Sequence, residues 1–298
     1  MASFAVTGAT GFVGGHLCAM LRQSGHEVRV LTRNAQGAGE LQAQGVSVVG
    51  GSLFDPSSLR ELLEGADALV HLVAIIVEHG DQSFGHVNHE GTLAAVEAAK
   101  AAGVKRFLHM SALGVHSDPR FPYLHSKWLG EEAVRASGLD WTIFRPSALF
   151  GRGAGFFKPL KDLARFPLYP VVGSGRTRFQ PIDVDDVVRC VMLAAERPET
   201  SRRTYDLGGS EAFTFDQIVE EVLGVLGKRR VRVHIPVWLA RPPAWLMGKL
   251  LSNPPVTAQQ LDMLALDNTC EEPDTVMRHF GFEPKSLREG LLEMWGRE

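Results

Sequence analysis

The chain has 298 residues, with 31 Lys and Arg against 34 Asp and Glu, a formal charge of −3. That balance argues against a nucleic-acid partner, which needs a basic face, and 45 % hydrophobic residues supply enough core to exclude wholesale disorder. Cys18, Cys190 and Cys270 stand too far apart for a disulfide framework or a CxxC zinc site, which fits a reducing compartment. In chain order, β-rich runs predict strands at Ser3–Thr7, Glu27–Thr32, Val46–Gly50, Ala68–Leu72, Arg106–Met110 and Trp141–Arg145. Helical patterns lie between them at Gly14–Ser24, Pro56–Glu64, Thr92–Ala102 and Tyr123–Ser137. Asp55 before Pro56 is a helix N-cap with proline at the first helical position. Gly25, Gly103 and Gly138 each follow a helix, where a left-handed stop suits glycine.

Such alternation implies an α/β fold, a doubly wound parallel sheet of Rossmann type. After Phe150 the pattern breaks, then resumes with a helix at Val184–Glu196 and a strand at Arg203–Leu207. The expected division is a dinucleotide-binding domain over 1–150 and about 182–212, and a small substrate-side domain over about 151–181 and 213–298. No apolar run reaches the ~20 residues of a membrane span. The first strand and glycine loop begin so early that a cleaved signal would remove them, so a soluble, cytoplasmic protein is expected.

The first strand runs into Thr7-Gly8-Ala9-Thr10-Gly11-Phe12-Val13-Gly14, a GxxGxxG loop before a helix. Gly8 allows the tight turn, Gly11 the approach of a pyrophosphate, and Gly14 close packing of helix on strand. The helix N-terminus then offers free N–H groups to the phosphates. Arg33 ends the second strand, where NAD binding would favour an acidic ribose acceptor. Arginine can instead pair with a 2′-phosphate, so NADP is the expected cofactor, with NAD as the alternative.

Tyr123 and Lys127 form a YxxxK pair whose four-residue spacing puts phenol and ammonium on one helix face. A nearby lysine favours the phenolate, which suits proton exchange with a substrate hydroxyl or carbonyl during hydride transfer. Ser111 closes the fifth strand at the edge where ligands of such sheets bind, and can hydrogen-bond the reacting oxygen.

These segments together resemble the short-chain dehydrogenase/reductase superfamily, in its NAD-dependent epimerase/dehydratase-like branch, over nearly the whole chain. The glycine loop, His71-Leu72-Val73-Ala74, Asn88-His89-Glu90-Gly91-Thr92, Arg145-Pro146-Ser147 and Asp183–Val187 carry the likeness. It implies cofactor contacts at Gly8, Thr10, Gly11, Phe12, Val13, Arg33, Ser52, Leu53, Leu72, Val73, Ala74, Asn88, Tyr123, Lys127 and Pro146. It also implies a catalytic Ser111, Tyr123 and Lys127, the lysine additionally holding the nicotinamide ribose. Ser52-Leu53 stands where many relatives have Asp-Leu or Asp-Val near the adenine. A closer likeness is to relatives of the nucleotide-binding accessory subunit of respiratory complex I, carried by Arg176–Pro181 and the stretch from Pro254-Pro255-Val256-Thr257 to Asp267-Asn268.

Other signals carry less chemistry. His86 and His89 lack a third ligand, so no metal is expected. Asp183, Asp185 and Asp186 read as helix capping rather than paired acid–base carboxylates. Arg176 and Arg178 fit an anion clamp or a solvated turn equally. Phe156, Phe157, Trp238, Trp245, Leu246 and Met247 suit core packing, with an apolar pocket or a membrane or partner dock as the alternative. Three functions stay open: a hydride-transferring oxidoreductase, epimerase or dehydratase acting on a small molecule; a non-catalytic assembly or stability factor; and an NADPH-sensing regulator. The 12-residue interval from Ser111 to Tyr123 is short for a sugar-nucleotide epimerase of this branch.

Overall fold

A computed structural model describes residues 1–34, 38–250, 261, 263–264 and 266–296, with side chains 245–250 outside the description. The likeness carried by Pro254–Thr257 and the side chains of Trp245, Leu246 and Met247 therefore lie outside the described residues. By contact the chain groups into two units, Met1–Arg145 with Val187–Tyr205, and Pro146–Asp186 with Asp206–Glu298. Residues 146–150, 182–186 and 206–212, expected in the sheet domain from the sequence, group with the second unit, the first two stretches being joined by the pairing of Leu149–Phe150 with Ile182–Asp183.

The first unit holds the central sheet. Its strands are β1 (Ser3–Thr7), β2 (Glu27–Thr32), β3 (Ser47–Gly50), β4 (Ala68–His71), β5 (Arg106–Met110) and β6 (Asp140–Pro146). A seventh strand, formed by Arg203–Leu207, lies at the edge beside β6, in the order seventh-β6-β5-β4-β1-β2-β3. The pairings from β1 to β6 are parallel, as the helical crossovers require. The reversal of order beside β1 puts a topological switch point at its C-terminal end, where the glycine loop begins.

The helices are α1 (Phe12–Gln23), α2 (Gly39–Ala43), α3 (Pro56–Leu63), α4 (Gly91–Ala102) and α5 (Pro122–Ala136). The single-turn α2 was not predicted; five residues with one buried position, Leu41, give too little periodicity. A π-helical turn at Gly85–Glu90 leads into α4, so the Asn88-to-Thr92 motif spans the joint rather than starting the helix. Asp55 caps α3 by accepting from Ser57 N, and Gly103 closes α4 at φ +68°. Leu59, Leu62, Ala95, Ala99, Phe107 and Ile143 anchor the core on one sheet face. At the far end Arg106 is buried and donates to Asp140, Thr142, Thr200 and the Ala194 carbonyl.

The second unit is assembled from short pairs. These are β7 (Leu149–Phe150) with β10 (Ile182–Asp183), β8 (Leu168–Val172) with a strand at Val231–Ile235, and β9 (Arg178–Phe179) with Phe213–Thr214. Phe150, Phe157, Ile218, Val222 and Leu291 form its core, so Phe157 is a packing residue, with Phe156 partly buried beside it. Asp183 accepts from the backbone of Asp185 and pairs with Lys285, which is capping and anchoring.

Candidate functional site

The glycine loop is built as a cradle. Gly8 takes φ +80°, and a Cβ there would lie 2.9 Å from the Leu72 carbonyl carbon and 3.0 Å from Val73 N. A Cβ on Gly14 would fall on the Gly8 carbonyl oxygen and lie 2.5 Å from Ala9 Cα, so α1 can approach the loop only without a side chain there. Gly11 is the N-cap of α1, with no side-chain cap and no acidic residue in the first turn. The helix's leading N–H groups and positive dipole end therefore keep their affinity for an anion. Thr10 and Gly11 are exposed, Phe12 and Val13 half-buried, and Thr10 and Gly11 border an open groove of about 430 Å³ that continues to His16 and Gln44. These residues fit a dinucleotide pyrophosphate.

Around this cradle the expected contacts divide. Leu72 and Val73 are half-buried and Ala74 is exposed, forming the exit of β4 next to Gly8, with Leu72 N bonded to Thr7 O. Arg33 is exposed, without a partner among the described residues. Ser52 is half-buried and its hydroxyl accepts from Phe54 N, while the Leu53 side chain belongs to the core. Pro146 is buried at the end of β6.

Asn88 is a brace. Its side chain is buried, accepts from Ile75 N and donates to Ile75 O and Ser126 Oγ, which uses its amide on the loop after β4 and on α5. No free donor is left for a ligand.

Tyr123 and Lys127 lie on one face of α5, as their spacing requires. The Tyr123 ring is half-buried, edge-on to Phe84 at 5.7 Å, and burial pushes its hydroxyl up to about 12. Lys127 is almost wholly buried and donates to Met110 O at 2.7 Å. Burial pulls its ammonium down to about 8 against the opposing charge of Glu131. The expected lowering of the phenol by the lysine is therefore not what the geometry gives: Nζ is directed at the strand end, and desolvation dominates the tyrosine.

Ser111 is buried, and its Oγ has no hydrogen-bond partner within range. It faces Glu131 closely enough to help hold that carboxyl low. No hydrogen bond joins Ser111, Tyr123 and Lys127 to one another among the described residues. The structure brings the three to the same strand end without linking them.

Sequence reasoning missed the charged and aromatic layer beneath. Glu131, one turn beyond Lys127, is fully buried; Arg145 donates to it from Nε at 2.8 Å and Nη2 at 2.6 Å, and Arg135 at 2.6 Å. Extending the Tyr123–Lys127 spacing by four residues would have found it. Thr92 Oγ1 donates to Asn88 O, so it accepts from His71 Nε2–H, which leaves Nδ1 to accept from Thr7. Burial, then the charge of Lys127, pulls His71 down to about 3. His109 stacks on His71 at 5.6 Å with neither ring nitrogen bonded, and burial holds it well below the usual histidine range.

Elsewhere, His86 pairs with Glu90 and stacks on Phe54, and Arg176 and Arg178 are exposed. No described helix is long and apolar enough to cross a membrane.

Comparison with known proteins places this site in context. The chain is 34 % identical over 233 residues to a ceramide reductase of Caulobacter vibrioides, covering 78 % of this chain and 73 % of that protein. It is 26 % identical to subunit 9 of the NADH dehydrogenase 1 alpha subcomplex of Arabidopsis thaliana mitochondria, over 95 % and 74 % of the two chains. A UDP-glucuronic acid 4-epimerase of Bacillus cereus, solved with UDP-glucuronic acid and NAD, shares the fold with a TM-score of 0.74 at 20 % identity, covering 99 % of this chain and 98 % of that one. The likeness to relatives of the complex I accessory subunit thus holds, and the fold is shared with the epimerase. The NAD(P)H-binding family model matches residues 8–162, from the first cradle glycine past the whole Tyr123 helix, and the chain belongs to that family.

Proposed function

We propose that this protein is an NAD(P)H-dependent reductase of a carbonyl compound, with Tyr123 as the proton donor. The observation that carries the reading is a half-buried phenol at the mouth of the sheet, one turn before a buried lysine. Bound NAD(P)H supplies the hydride. The substrate carbonyl carbon gains that hydride, and its oxygen gains the Tyr123 proton, giving an alcohol. A phenol pushed up to about 12 is fully protonated at neutral pH, which suits the reducing direction.

Lys127 supports this chemistry. Its remaining N–H donors suit the nicotinamide ribose, while its bond to Met110 O fixes the ammonium at the strand end. The cradle from Gly8 to Val13 would hold the pyrophosphate, and the exposed Arg33 favours the 2′-phosphate of NADPH over NADH.

The test is turnover of NADPH and NADH with a panel of aldehydes and ketones, for the natural protein and Tyr123→Phe. General-acid loss predicts a rate about 10²–10⁴ lower, with cofactor affinity within about twofold of the natural value on the standing scatter of single substitutions. Equal turnover in the variant would overturn the assignment. A non-catalytic role in an assembly has one specific observation behind it, the Ser111 hydroxyl lying against Glu131 without a bond to the phenol. Cofactor binding without turnover across the panel would favour that role.

A further inference from the structure

From Val222 to Leu261 the sequence contains no Asp or Glu, yet it carries Lys228, Arg229, Arg230, Arg232, Arg241 and Lys249. A forty-residue stretch of purely positive charge is anomalous in a chain whose net charge is −3. The structure shows what accompanies it within the second unit. The strand Val231–Ile235 pairs in parallel with β8, with Val231 opposite Leu168 and Val233 opposite Pro170. Aligned partners in a parallel pair project on one face. Tyr169 and Val171 of β8 are fully buried, so Leu168, Val231 and Val233 belong to the opposite face, where they are 57 %, 66 % and 41 % exposed.

The apolar row does not stop there. Phe166 is exposed just before β8. A helix at Val237–Leu250 follows the strand directly, and its first turn presents Trp238 at 73 % exposure and Leu239 at 54 %. Scattered exposed hydrophobes need no explanation, but six along a short strand pair and the next helical turn form a patch. Arg229 is exposed at the head of this strand, and Lys228 is half-buried next to it.

We propose that this face docks on an anionic phospholipid bilayer, with Trp238 and Leu239 entering the headgroup–acyl boundary and Lys228 and Arg229 engaging lipid phosphates, while Arg230 and Arg232 are held by Ala164 O and Glu220. Charge complementarity selects the occupant. A second copy would set Lys228 and Arg229 of one chain against those of the other, which is unfavourable. Nucleic acid would satisfy the cations and leave the valine–leucine row in water. A bilayer surface satisfies both, since aromatic and aliphatic side chains insert while each nearby Lys or Arg adds attraction to acidic headgroups. The docking is peripheral, because no described helix can span.

The experiment is co-sedimentation of the full chain with phosphatidylcholine vesicles, with and without phosphatidylglycerol, at low and high salt. Expected is binding that needs phosphatidylglycerol and weakens with salt. Trp238→Ser with Leu239→Ser should weaken it about tenfold or more through lost insertion. Lys228→Glu with Arg229→Glu should do so through charge reversal. Circular dichroism, which reads the whole chain, and cofactor affinity, which reads the first unit, should be unchanged in these variants. No binding to phosphatidylglycerol vesicles overturns the proposal. So does binding that both double variants retain, or saturable binding to polyglutamate with none to vesicles. Concentration-dependent dimerisation abolished by the Trp238/Leu239 variant, without vesicle binding, would assign the face to a second copy instead.

Discussion

Gly14 and Gly15 are neighbours on α1, and the same substitution should have opposite effects at the two positions. A methyl on Gly15 meets nothing within 4 Å, so Gly15→Ala should gain about 0.5–1 kcal/mol from helix propensity alone. A methyl on Gly14 lies 2.5 Å from Ala9 Cα and on the Gly8 carbonyl oxygen, all backbone atoms that cannot rotate away. Ordinary carbon contacts are about 3.5–4.0 Å, so loop and helix must separate by roughly 1 Å. Overpacking of this kind costs about 1–3 kcal/mol, which sets the two variants about 1.5–4 kcal/mol apart in unfolding free energy. The same shift moves the loop N–H groups out of the ~2.7–3.2 Å window for bonding a phosphate oxygen. Losing one such charge-assisted bond, about 1.5–3 kcal/mol, weakens cofactor binding by about tenfold to a hundredfold. Urea unfolding followed by circular dichroism and calorimetric titration with NADPH and NADH measure both effects. If Gly14→Ala bound either cofactor within twofold of the natural protein, or gained stability as Gly15→Ala should, the cradle would not be where the phosphates sit.

Three further outcomes follow from the buried layer and the cofactor edge. Glu131→Ala leaves Arg145 and Arg135 facing a vacated buried site and should destabilise by about 3–5 kcal/mol, read as a fall in the urea midpoint. Burial alone would raise the Glu131 carboxyl, but the Arg145 hydrogen bonds, the Ser111 hydroxyl and the charges of Arg145 and Arg135 together outweigh it and the net shift is downward. Its contribution to stability is therefore full above the ordinary carboxylate range and is lost as pH falls through its lowered value. His71 and His109 are depressed as well, so the unfolded chain binds more protons below about pH 6.5. Stability should fall on acidification by about 1.4 kcal/mol per pH unit for each histidine, and His109→Phe should remove one share of that slope while sparing stability at pH 8. An unchanged slope would show that His109 is not buried neutral. Arg33→Asp should convert a preference for NADPH into one for NADH, measured as the ratio of the two dissociation constants; an unchanged ratio would remove the 2′-phosphate contact.

The sheet was legible because its causes are local. Each strand from β1 to β6 is an apolar run bounded by a polar or glycine stop, and the observed limits differ from the predicted ones by one or two residues at most. Asp55, Gly103 and the glycine loop announced their roles because caps and positive φ values restrict residue type at single positions. The second unit was less legible. Its strands β7, β9 and β10 are two residues long and pair with segments distant in sequence, which leaves no periodicity to read.

Within the candidate site, placement along the chain was legible and hydrogen bonding was not. Spacing alone put Tyr123 and Lys127 on one face of α5, but it could not say that Lys127 would bond Met110 O. Nor could it show Asn88 using its amide on Ile75 and Ser126, which braces the loop after β4 to the helix that carries Tyr123. These bonds explain each other. Burial depresses both histidines and the cation of Lys127 adds to it, while that cation is in turn supported by Glu131, whose own charge is held by two arginines. A lysine kept near 8 in such a layer responds to any change in its surroundings, and removing Glu131 removes the charge that opposes desolvation. The conservative Glu131→Gln should accordingly lower the Lys127 pKa further, by the loss of that attraction. In the proposed reductase it should shift the alkaline limb of the pH–rate profile for kcat downward while leaving NADPH affinity at pH 6 nearly unchanged. A purely structural glutamate would reduce rates evenly at every pH, so a profile that drops without moving would separate Glu131 from the proton chemistry of Tyr123.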